Sequence, residues 1–250
     1  MKFRIVSIVF VVTAIALFLA INNLSTFTVV FVILLLVYGG VIALGSYRFQ
    51  WNFFMPAIHH GKKGSLCITF DDGPHPEHTQ AILDILAKYK APATFFMIGK
   101  NVDAHPAIVK QVQQQGHEIG NHSYHHSNMH GFLSTKGVVS EIEKCSEAIM
   151  HITEEAVEYY RPPFGVTNPN IADAVKQTGM PAIGWDIRSL DTTATDADKL
   201  LARITNAIPT GTILLLHDTQ PITVQILPAI LDFCAKNNIE IIPLNSVVQV

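Results

Sequence analysis

The most informative stretch of this chain is Ile68–Pro74, which reads ITFDDGP. It predicts a short apolar strand that ends in two adjacent carboxylates, Asp71 and Asp72. Neighbouring side chains on an extended strand point to opposite faces. Gly73 and Pro74 turn the chain sharply at the strand end, so both carboxylates can address one cavity. One aspartate can then ligate a metal while the other accepts a proton from water. Taken alone, the same motif is also compatible with a helix-capping turn.

A second polar stretch, His122–His126, reads HSYHH and is predicted to lie in a loop or a single turn. One aspartate with His122 and His126 makes a three-ligand set with open coordination positions, as in catalytic metal sites. His125 and His130 are competing candidates, and spacing alone leaves the pair formed by His122 and His125 open. A solvated loop with incidental histidines is the alternative. Together with the two aspartates, the loop indicates metal-assisted hydrolysis.

The stretch Arg161–Gly165, RPPFG, follows another predicted strand. Its two prolines stiffen the loop, so the backbone N–H of Phe164 can be held towards a reacting oxygen. Arg161 can pair with an aspartate and keep it ionised. On its own, this motif is more typical of a rigid turn.

The stretch Leu214–Asp218, LLLHD, predicts a buried strand that ends in a histidine. His217 at that position can give a proton to a leaving amine. Leu216 can line a small apolar pocket that fits a methyl group. A capping pair formed by His217 and Asp218 is the alternative.

Composition sets the class of protein. The chain has 250 residues, is 49% hydrophobic and carries a net charge of -3, which suits one sizeable domain plus an apolar segment. There is no charge excess of the kind that attracts nucleic acid, so no nucleic-acid partner is expected. Three cysteines without paired or metal-type spacing are interpreted as buried free thiols.

The N-terminal segment contains two uncharged apolar runs, residues 5–21 and 27–44, separated by the polar stretch 22–26. Each run is near the lower limit of about 17 to 20 residues for a membrane-spanning helix, and the tight break favours a helical hairpin. A cleaved signal peptide is the alternative, but it leaves the second run unexplained.

Lys2 and Arg4 precede the first run, and Arg48, Lys62 and Lys63 follow the second, whereas the break carries no positive charge. The positive-inside rule therefore predicts an integral protein of the bacterial plasma membrane with both ends, and the catalytic domain, in the cytoplasm. If only one run spans, the domain lies outside the cytoplasm. The expected organisation is a membrane anchor over residues 1–46, a linker over 47–63 and a catalytic domain over 64–250.

Beyond the linker, apolar strands alternate with amphipathic helices in about seven repeats, which predicts a parallel α/β fold. A barrel and a doubly wound sheet are both compatible with this alternation. The polar motifs favour a distorted, incomplete (β/α) barrel, because a barrel gathers the carboxyl ends of its strands around one site. The predicted strands are Leu66–Phe70, Thr94–Ile98, Glu118–Asn121, Tyr159–Arg161, Pro181–Trp185, Thr212–Leu216 and Ile239–Pro243.

These motifs, in this order, resemble the polysaccharide deacetylase family (the NodB homology domain, carbohydrate esterase family 4) over about residues 64–245. The resemblance implies a divalent metal, zinc with cobalt or nickel as alternatives, and hydrolytic removal of an N-acetyl group from an amino sugar. It also implies a role for each matched position: Asp71 is the general base; Asp72, His122 and His126 are the metal ligands; Arg161 orients the base; the Phe164 N–H stabilises the oxyanion; Leu216 lines the acetate pocket; and His217 is the general acid.

One motif departs from the family pattern Trp-x-x-Asp-x-x-Asp-Trp. The stretch Trp185–Thr192 reads WDIRSLDT, so Arg188 replaces an acid and Thr192 replaces a tryptophan. The acid that tunes His217 is then either Asp191 or Asp186. We expect the substrate pocket to be lined by Leu216, Pro163, Trp185 and Asp191.

The expected partners are an N-acetylated glycan or a polyprenyl-phosphate-linked sugar, together with membrane lipid. A cytosolic barrel beside a membrane hairpin suits the lipid-linked sugar, whereas the reverse topology favours peptidoglycan or a surface polysaccharide. A deformylase, a hydrolase of small non-sugar amides on the same barrel, and a non-catalytic membrane-anchored glycan-binding protein are the alternatives.

Overall fold

The computed structural model describes residues 2–248 and contains a six-stranded parallel sheet. The sheet order is β3-β2-β1-β5-β4, and β6 pairs with the start of β1. The predicted parallel α/β class is therefore confirmed. The strands are β1 Ser65–Asp71, β2 Thr94–Met97, β3 Glu118–Asn121, β4 Ile187–Arg188, β5 Ile213–His217 and β6 Glu240–Ile241.

The seven-stranded barrel is not confirmed, because two of the predicted strands do not form. The segments predicted at 159–161 and 181–185 are reduced to isolated bridges, in which Tyr160 pairs with both Asn121 and Ala182, and Ile183 pairs with Ile58. Prolines at both segments remove the donors that a regular ladder needs. The chain instead reaches β5 through the two-residue strand β4, which the apolar pattern did not predict.

Ten helices occur in the described residues. Ser134 caps α6 by accepting a hydrogen bond from the Gly137 N–H at 3.3 Å, as a serine at this position favours. Helix α4, only six residues long, was not predicted. The helices are α1 Lys2–Ala20, α2 Leu24–Tyr47, α3 His78–Tyr89, α4 Gly99–Ala104, α5 Pro106–Gln114, α6 Thr135–Thr153, α7 Pro169–Thr178, α8 Ala197–Ala207, α9 Pro221–Lys236 and α10 Asn245–Val248.

The sheet has a helix-covered face and an inner face, and β5 contributes to both. Leu214 and Leu216 are fully buried in the larger core, where they pack with β1 and the surrounding helices. Leu215 points the other way and packs with Phe96 and Trp185. This alternation follows from the two-residue period of a strand. It decides which leucine can reach the site at the carboxyl end of the sheet.

Helices α1 and α2 form an apolar hairpin that is joined tightly to the rest of the chain. Both helices are long and apolar enough to cross a membrane. Asn23 caps α2 by accepting a hydrogen bond from the Thr26 N–H at 3.0 Å. At the other end of the hairpin, the Phe3 N–H donates to the Phe53 carbonyl at 3.1 Å, and the Ser46 hydroxyl donates to the Thr167 carbonyl at 2.6 Å.

Candidate active site

The carboxyl ends of three parallel strands, β1, β3 and β5, bring the predicted polar residues together. Asp71 is the last residue of β1 and is paired in register with His217, the last residue of β5. His122 follows the last residue of β3. Because all three strands are parallel, their last residues lie at one edge of the sheet.

Asp72, His122 and His126 form a cluster that suits a divalent cation. One ligand atom from each residue lies within 4.8 Å of the other two. The Nε2 atoms of both histidines are 3.4 Å from Oδ1 of Asp72. That oxygen is buried, yet it accepts no hydrogen bond from any described residue. An orphaned carboxylate oxygen facing two imidazole nitrogens is the donor set expected of a metal site.

The two competing histidines lie elsewhere. His125 is exposed and its Nδ1 is 2.7 Å from a Glu141 carboxylate oxygen, so it points away from Asp72. His130 is buried, with its Nε2 3.0 Å from the Tyr160 hydroxyl. The structure therefore brings together His122 and His126, and the pair formed by His122 and His125 does not converge on a common point with the aspartates.

The backbone that places these ligands is unusual. Asp72, Ser123 and His126 have φ angles of 75°, 63° and 50°, in the left-handed region that non-glycine residues seldom adopt. Such conformations persist only where the surrounding contacts enforce them, and they cluster at functional sites. His122 is further fixed because its Nδ1 lies 2.7 Å from the Arg161 carbonyl. A carbonyl can only accept, so Nδ1 carries the proton and Nε2 is the free ligand atom in the neutral ring.

The electrostatics of the cluster favour a cation. Burial, helped by the charge of His122, lowers the pKa of His126 to about 4, so this ring is neutral and ready to ligate near pH 7. Burial alone would raise the pKa of Asp72, but the His122 ring, 3.4 Å from its Oδ1, and the charges of the neighbouring histidines lower it below its usual range. Burial opposes a charged His122, yet Asp71 and Asp72 together raise its pKa. The two carboxylates thus attract positive charge to this point.

Asp71 is held by a buried arginine. Nη1 of Arg161 donates to Oδ1 of Asp71 at 2.6 Å, and both side chains are buried. The same nitrogen donates to the Thr69 hydroxyl at 2.8 Å, while Nε donates to the Ile183 carbonyl at 3.2 Å. The guanidinium carbon also lies 4.0 Å from the centre of the Phe96 ring. With Oδ1 occupied, Oδ2 of Asp71 faces the metal cluster, 3.7 Å from Nε2 of His122.

His217 is held by a buried aspartate. Its Nδ1 lies 2.7 Å from Oδ1 of Asp191, and Asp191 also accepts hydrogen bonds from the Thr223 and Ser189 hydroxyls. Burial would lower the pKa of His217, but the hydrogen bond and charge of Asp191, together with the charges of Asp71 and Asp72, outweigh it and raise the pKa to about 9. The free Nε2 lies 4.0 Å from Oδ2 of Asp72. His217 is therefore a protonated imidazole aimed at the cluster.

Asp186, the other acid considered for this role, has a structural function. Its carboxylate accepts hydrogen bonds from the backbone N–H groups of Thr212 and Ile213 at 2.9 and 2.7 Å, and it lies 2.6 Å from Nδ1 of His60. It fixes the start of β5 rather than its end. The acid beside His217 is Asp191.

A cavity of about 270 Å³ opens above the cluster. Of the predicted pocket residues, Trp185 lines it, whereas Pro163 and Asp191 are buried outside its lining. Phe164 lines it from a left-handed backbone with φ of 59°, and its ring packs against His126. The cavity is lined by Asp71, Asp72, His122, His126, Phe164, Gly165, Trp185, Arg188, Leu190, Thr192, Leu215 and His217.

The prediction that Leu216 lines the pocket is wrong. Leu216 is fully buried in the helix-covered core, and Leu215 reaches the cavity instead. The signal was present in the sequence, because residues two apart on a strand share a face, so Leu215 must lie on the side of His217. Arg188, Leu190 and Thr192 were also not predicted as lining residues, and no local pattern identifies them.

Comparison with known proteins gives a consistent result. A family model described as polysaccharide deacetylase matches residues 59–183. The chitooligosaccharide deacetylase of Azorhizobium caulinodans is 35% identical over 160 residues, which cover 64% of this chain and 76% of that protein.

Solved structures of similar proteins share the fold. The peptidoglycan deacetylase PdaC of Bacillus subtilis matches with a TM-score of 0.70 and 28% identity, over 75% of this chain and 91% of that one. A CE4 family pseudoenzyme from Bacillus anthracis matches with a TM-score of 0.70 and 26% identity, over 76% of this chain and 66% of that one. The fold is thus shared by a deacetylase and a pseudoenzyme. Whether this chain is an enzyme has to be argued from the residues of its site.

Proposed function

This chain belongs to the polysaccharide deacetylase family, and we propose that it hydrolyses the acetamide of an N-acetylated amino sugar, releasing acetate and a free amine. One observation carries the proposal. A buried carboxylate, Asp71, and an imidazole, His217, both border the same three-ligand cluster: Oδ2 of Asp71 lies 3.7 Å from Nε2 of His122, and Nε2 of His217 lies 4.0 Å from Oδ2 of Asp72. A base and an acid beside one electrophilic centre are what amide hydrolysis requires.

Asp72, His122 and His126 would hold the metal, with zinc as the expected ion and cobalt or nickel as alternatives. A divalent cation there would polarise the acetamide carbonyl and lower the pKa of water. The orphaned Oδ1 of Asp72 and the fixed tautomer of His122 support this assignment. A carbonyl that accepts a hydrogen bond from the second ring nitrogen orients a metal-ligating histidine, and the Arg161 carbonyl is placed to do this for His122.

The protein side chains move the protons. Asp71 accepts a proton from the attacking water as the new C–O bond forms, and Arg161 keeps its carboxylate aligned. His217 donates its Nε2 proton to the amide nitrogen as the C–N bond breaks, so the sugar leaves as an amine. The pKa of about 9 keeps His217 protonated at neutral pH.

The lining of the cavity suits a small acyl group. Leu215 and Trp185 provide apolar walls, and we assign Leu215 to contact the methyl group. Phe164 is proposed to present its backbone N–H to the oxyanion, because its left-handed conformation places this peptide at the cavity wall. A formyl group would fit the same space, so a deformylase remains the second candidate for the acyl group.

The substrate and location are proposed from the hairpin. Relatives named for chitooligosaccharide and for peptidoglycan support an N-acetylated amino sugar. We propose that α1 and α2 anchor the chain in the plasma membrane and that Lys2, Arg4 and Arg48 keep the domain cytosolic. A cytosolic domain at the membrane favours a sugar linked to polyprenyl phosphate over an extracellular polymer.

The experiment is release of acetate and free amine by metal-loaded full-length protein from an N-acetylglucosamine oligomer and from a polyprenyl-phosphate-linked N-acetylhexosamine. We expect acetate and amine in equal amounts from at least one substrate. Formate from an N-formyl analogue, without acetate, would replace the deacetylase with a deformylase. Stoichiometric metal without turnover of any amide would indicate a non-catalytic glycan-binding protein.

A further inference from the structure

Arg188 is an exposed cation at the cavity wall that the reaction described above does not use. Its Nη1 donates to the Tyr47 hydroxyl at 2.7 Å, and its guanidinium carbon lies 5.8 Å and 5.9 Å from the ring centres of Tyr47 and Trp185. It forms no salt bridge with any residue in the range 2–248. Its charge is therefore available to an anion that enters the cavity.

Tyr47 belongs to the end of the apolar hairpin that meets the catalytic domain. It is the last residue of α2, and more than half of its surface is exposed. Trp51 follows it with 44% of its surface exposed, and its carbonyl accepts a hydrogen bond from the Lys2 ammonium at 2.8 Å. Tyrosine, tryptophan and lysine are the residues enriched where a helix leaves the bilayer. The cavity therefore opens at headgroup level if the hairpin spans the membrane.

The cavity wall and the hairpin end are packed as one unit. Gln50 donates a hydrogen bond to the Trp185 carbonyl at 2.9 Å. Phe49, itself buried, stacks on the Trp185 ring with the centroids 5.8 Å apart. A flexible tether would let the site move away from the bilayer, whereas this packing keeps Arg188 beside it.

We propose that Arg188 binds the phosphate that links the amino sugar to a membrane lipid, so that the enzyme takes lipid-phosphate-linked N-acetylhexosamines from the bilayer surface. The inference rests on the proposed function. A guanidinium binds phosphate through two parallel N–H donors. In a 2-acetamido sugar 1-phosphate, the acetamide and the phosphate are on adjacent ring carbons. One sugar can therefore present its acetamide to the metal cluster and its phosphate to a cation that lines the same cavity.

The test compares three substrates and two variants of the full-length protein in phosphatidylcholine nanodiscs. The substrates are a polyprenyl-phosphate-linked N-acetylhexosamine, soluble N-acetylhexosamine 1-phosphate and a neutral N-acetylglucosamine oligomer. Arg188→Ala removes the proposed contact. Arg203→Ala is the matched control, because Arg203 is an exposed neighbour that does not line the cavity and whose side chain, within residues 2–248, donates hydrogen bonds only to the Arg188 carbonyl.

For the lipid-linked sugar, Arg188→Ala is expected to lower kcat/KM by about 10- to 100-fold, mainly through KM, as loss of a charge-assisted hydrogen bond implies. Arg203→Ala should leave this value unchanged, and Arg188→Ala should leave turnover of the neutral oligomer unchanged. Equal losses on the charged and neutral substrates would make Arg188 a structural residue. Equal kcat/KM on the lipid-linked and the soluble sugar phosphate would remove the lipid from the proposal.

Failure of the proposed function gives a different result. If the wild type releases acetate from the oligomer but not from the lipid-linked sugar, the deacetylase stands and the inference is overturned. If the wild type releases acetate from none of the three substrates, binding of polyprenyl phosphate to the Asp71→Asn protein tests the phosphate site separately. Binding that needs Arg188 would support the phosphate site without the activity, and absence of binding would overturn it.

Discussion

Asp71 and Asp72 are neighbours in the chain but have different surroundings. Asp71 ends β1 in extended backbone and is bound by the buried Arg161, whereas Asp72 lies in the left-handed region and faces two imidazoles. The change of backbone conformation between them is what lets two adjacent carboxylates reach one cavity. In the proposed mechanism, a single residue pair thereby supplies both a proton acceptor and a metal ligand.

At the residue scale, His126→Ala should remove most of the bound metal, because it deletes one of three ligands. His125→Ala is the matched control, since that ring is 2.7 Å from Glu141 and points away from the cluster. Elemental analysis of both purified variants provides the measurement. Normal metal in His126→Ala together with loss in His125→Ala would show that the alternative register is correct.

The acid beside His217 sets a pH dependence. The pKa of His217 is raised to about 9, so the proton donor is present below that pH and activity falls as pH rises through it. Asp191→Asn removes the charge that contributes most to the raised pKa, so the alkaline limb of kcat/KM should move to lower pH by about one to two units. The profile of kcat/KM against pH measures this shift. In Asp186→Asn the limb should stay near pH 9, and a shift there instead would reassign the acid.

Which residues meet at the site could be predicted from the sequence to a large extent. Asp71, His122, Arg161 and His217 each follow an apolar segment, and parallel strands bring their carboxyl ends together. Spacing alone left the choice between His125 and His126 open, because it depends on left-handed backbone at Ser123 and His126 that the residue types do not indicate; the family resemblance favoured His126. The choice between Asp186 and Asp191 depended on which of them folds back onto β5.

At the element scale, β5 shows how one strand serves both the core and the site. Leu215→Ala should enlarge the acyl pocket and raise the activity on an N-propionyl substrate relative to N-acetyl. Leu216→Ala should leave that ratio unchanged but lower the free energy of unfolding by about 2 to 5 kcal/mol, as for other buried leucines. Paired kinetics and urea unfolding measure both effects. If the ratio of N-propionyl to N-acetyl activity changed only in Leu216→Ala, Leu216 rather than Leu215 would line the acyl pocket.

The irregular part of the sheet was the least predictable. Tyr160 and Ala182 lie in apolar segments that resemble strands, but each makes only isolated bridges. Prolines at 162, 163 and 181 break the ladder, and the loop they leave carries Arg161 and Phe164 into the site. The same irregularity explains why β4 begins only at Ile187. Apolar patterning describes strands well where the ladder is regular and poorly where prolines interrupt it.

At the scale of the whole molecule, the hairpin is part of the fold. Phe3 packs against Phe53 and Phe54, and Gly45 is buried at the junction. The two apolar runs and the polar break could be predicted from composition. Their packing against the cavity wall could not, because it depends on contacts between residues far apart in sequence.

This packing predicts that the hairpin is retained in the mature protein. The protein in the membrane fraction should still contain α1, because removal of α1 would expose the aromatic residues of the junction. Mass spectrometry of the membrane fraction, with a cleaved secreted protein as control, tests for the presence of α1. A shortened chain in the soluble fraction would indicate a signal peptide.

We propose that Asp71 acts as the base beside a metal held by other residues, and one measurement tests this role directly. Full-length wild type and Asp71→Asn, each assayed for bound metal, are compared for acetate release from the N-acetylated sugar that the wild type hydrolyses. Asparagine keeps the contact with Arg161 but cannot accept the proton, so the variant should lose about 100- to 10,000-fold in kcat with its metal retained. Wild-type turnover by Asp71→Asn would contradict the account.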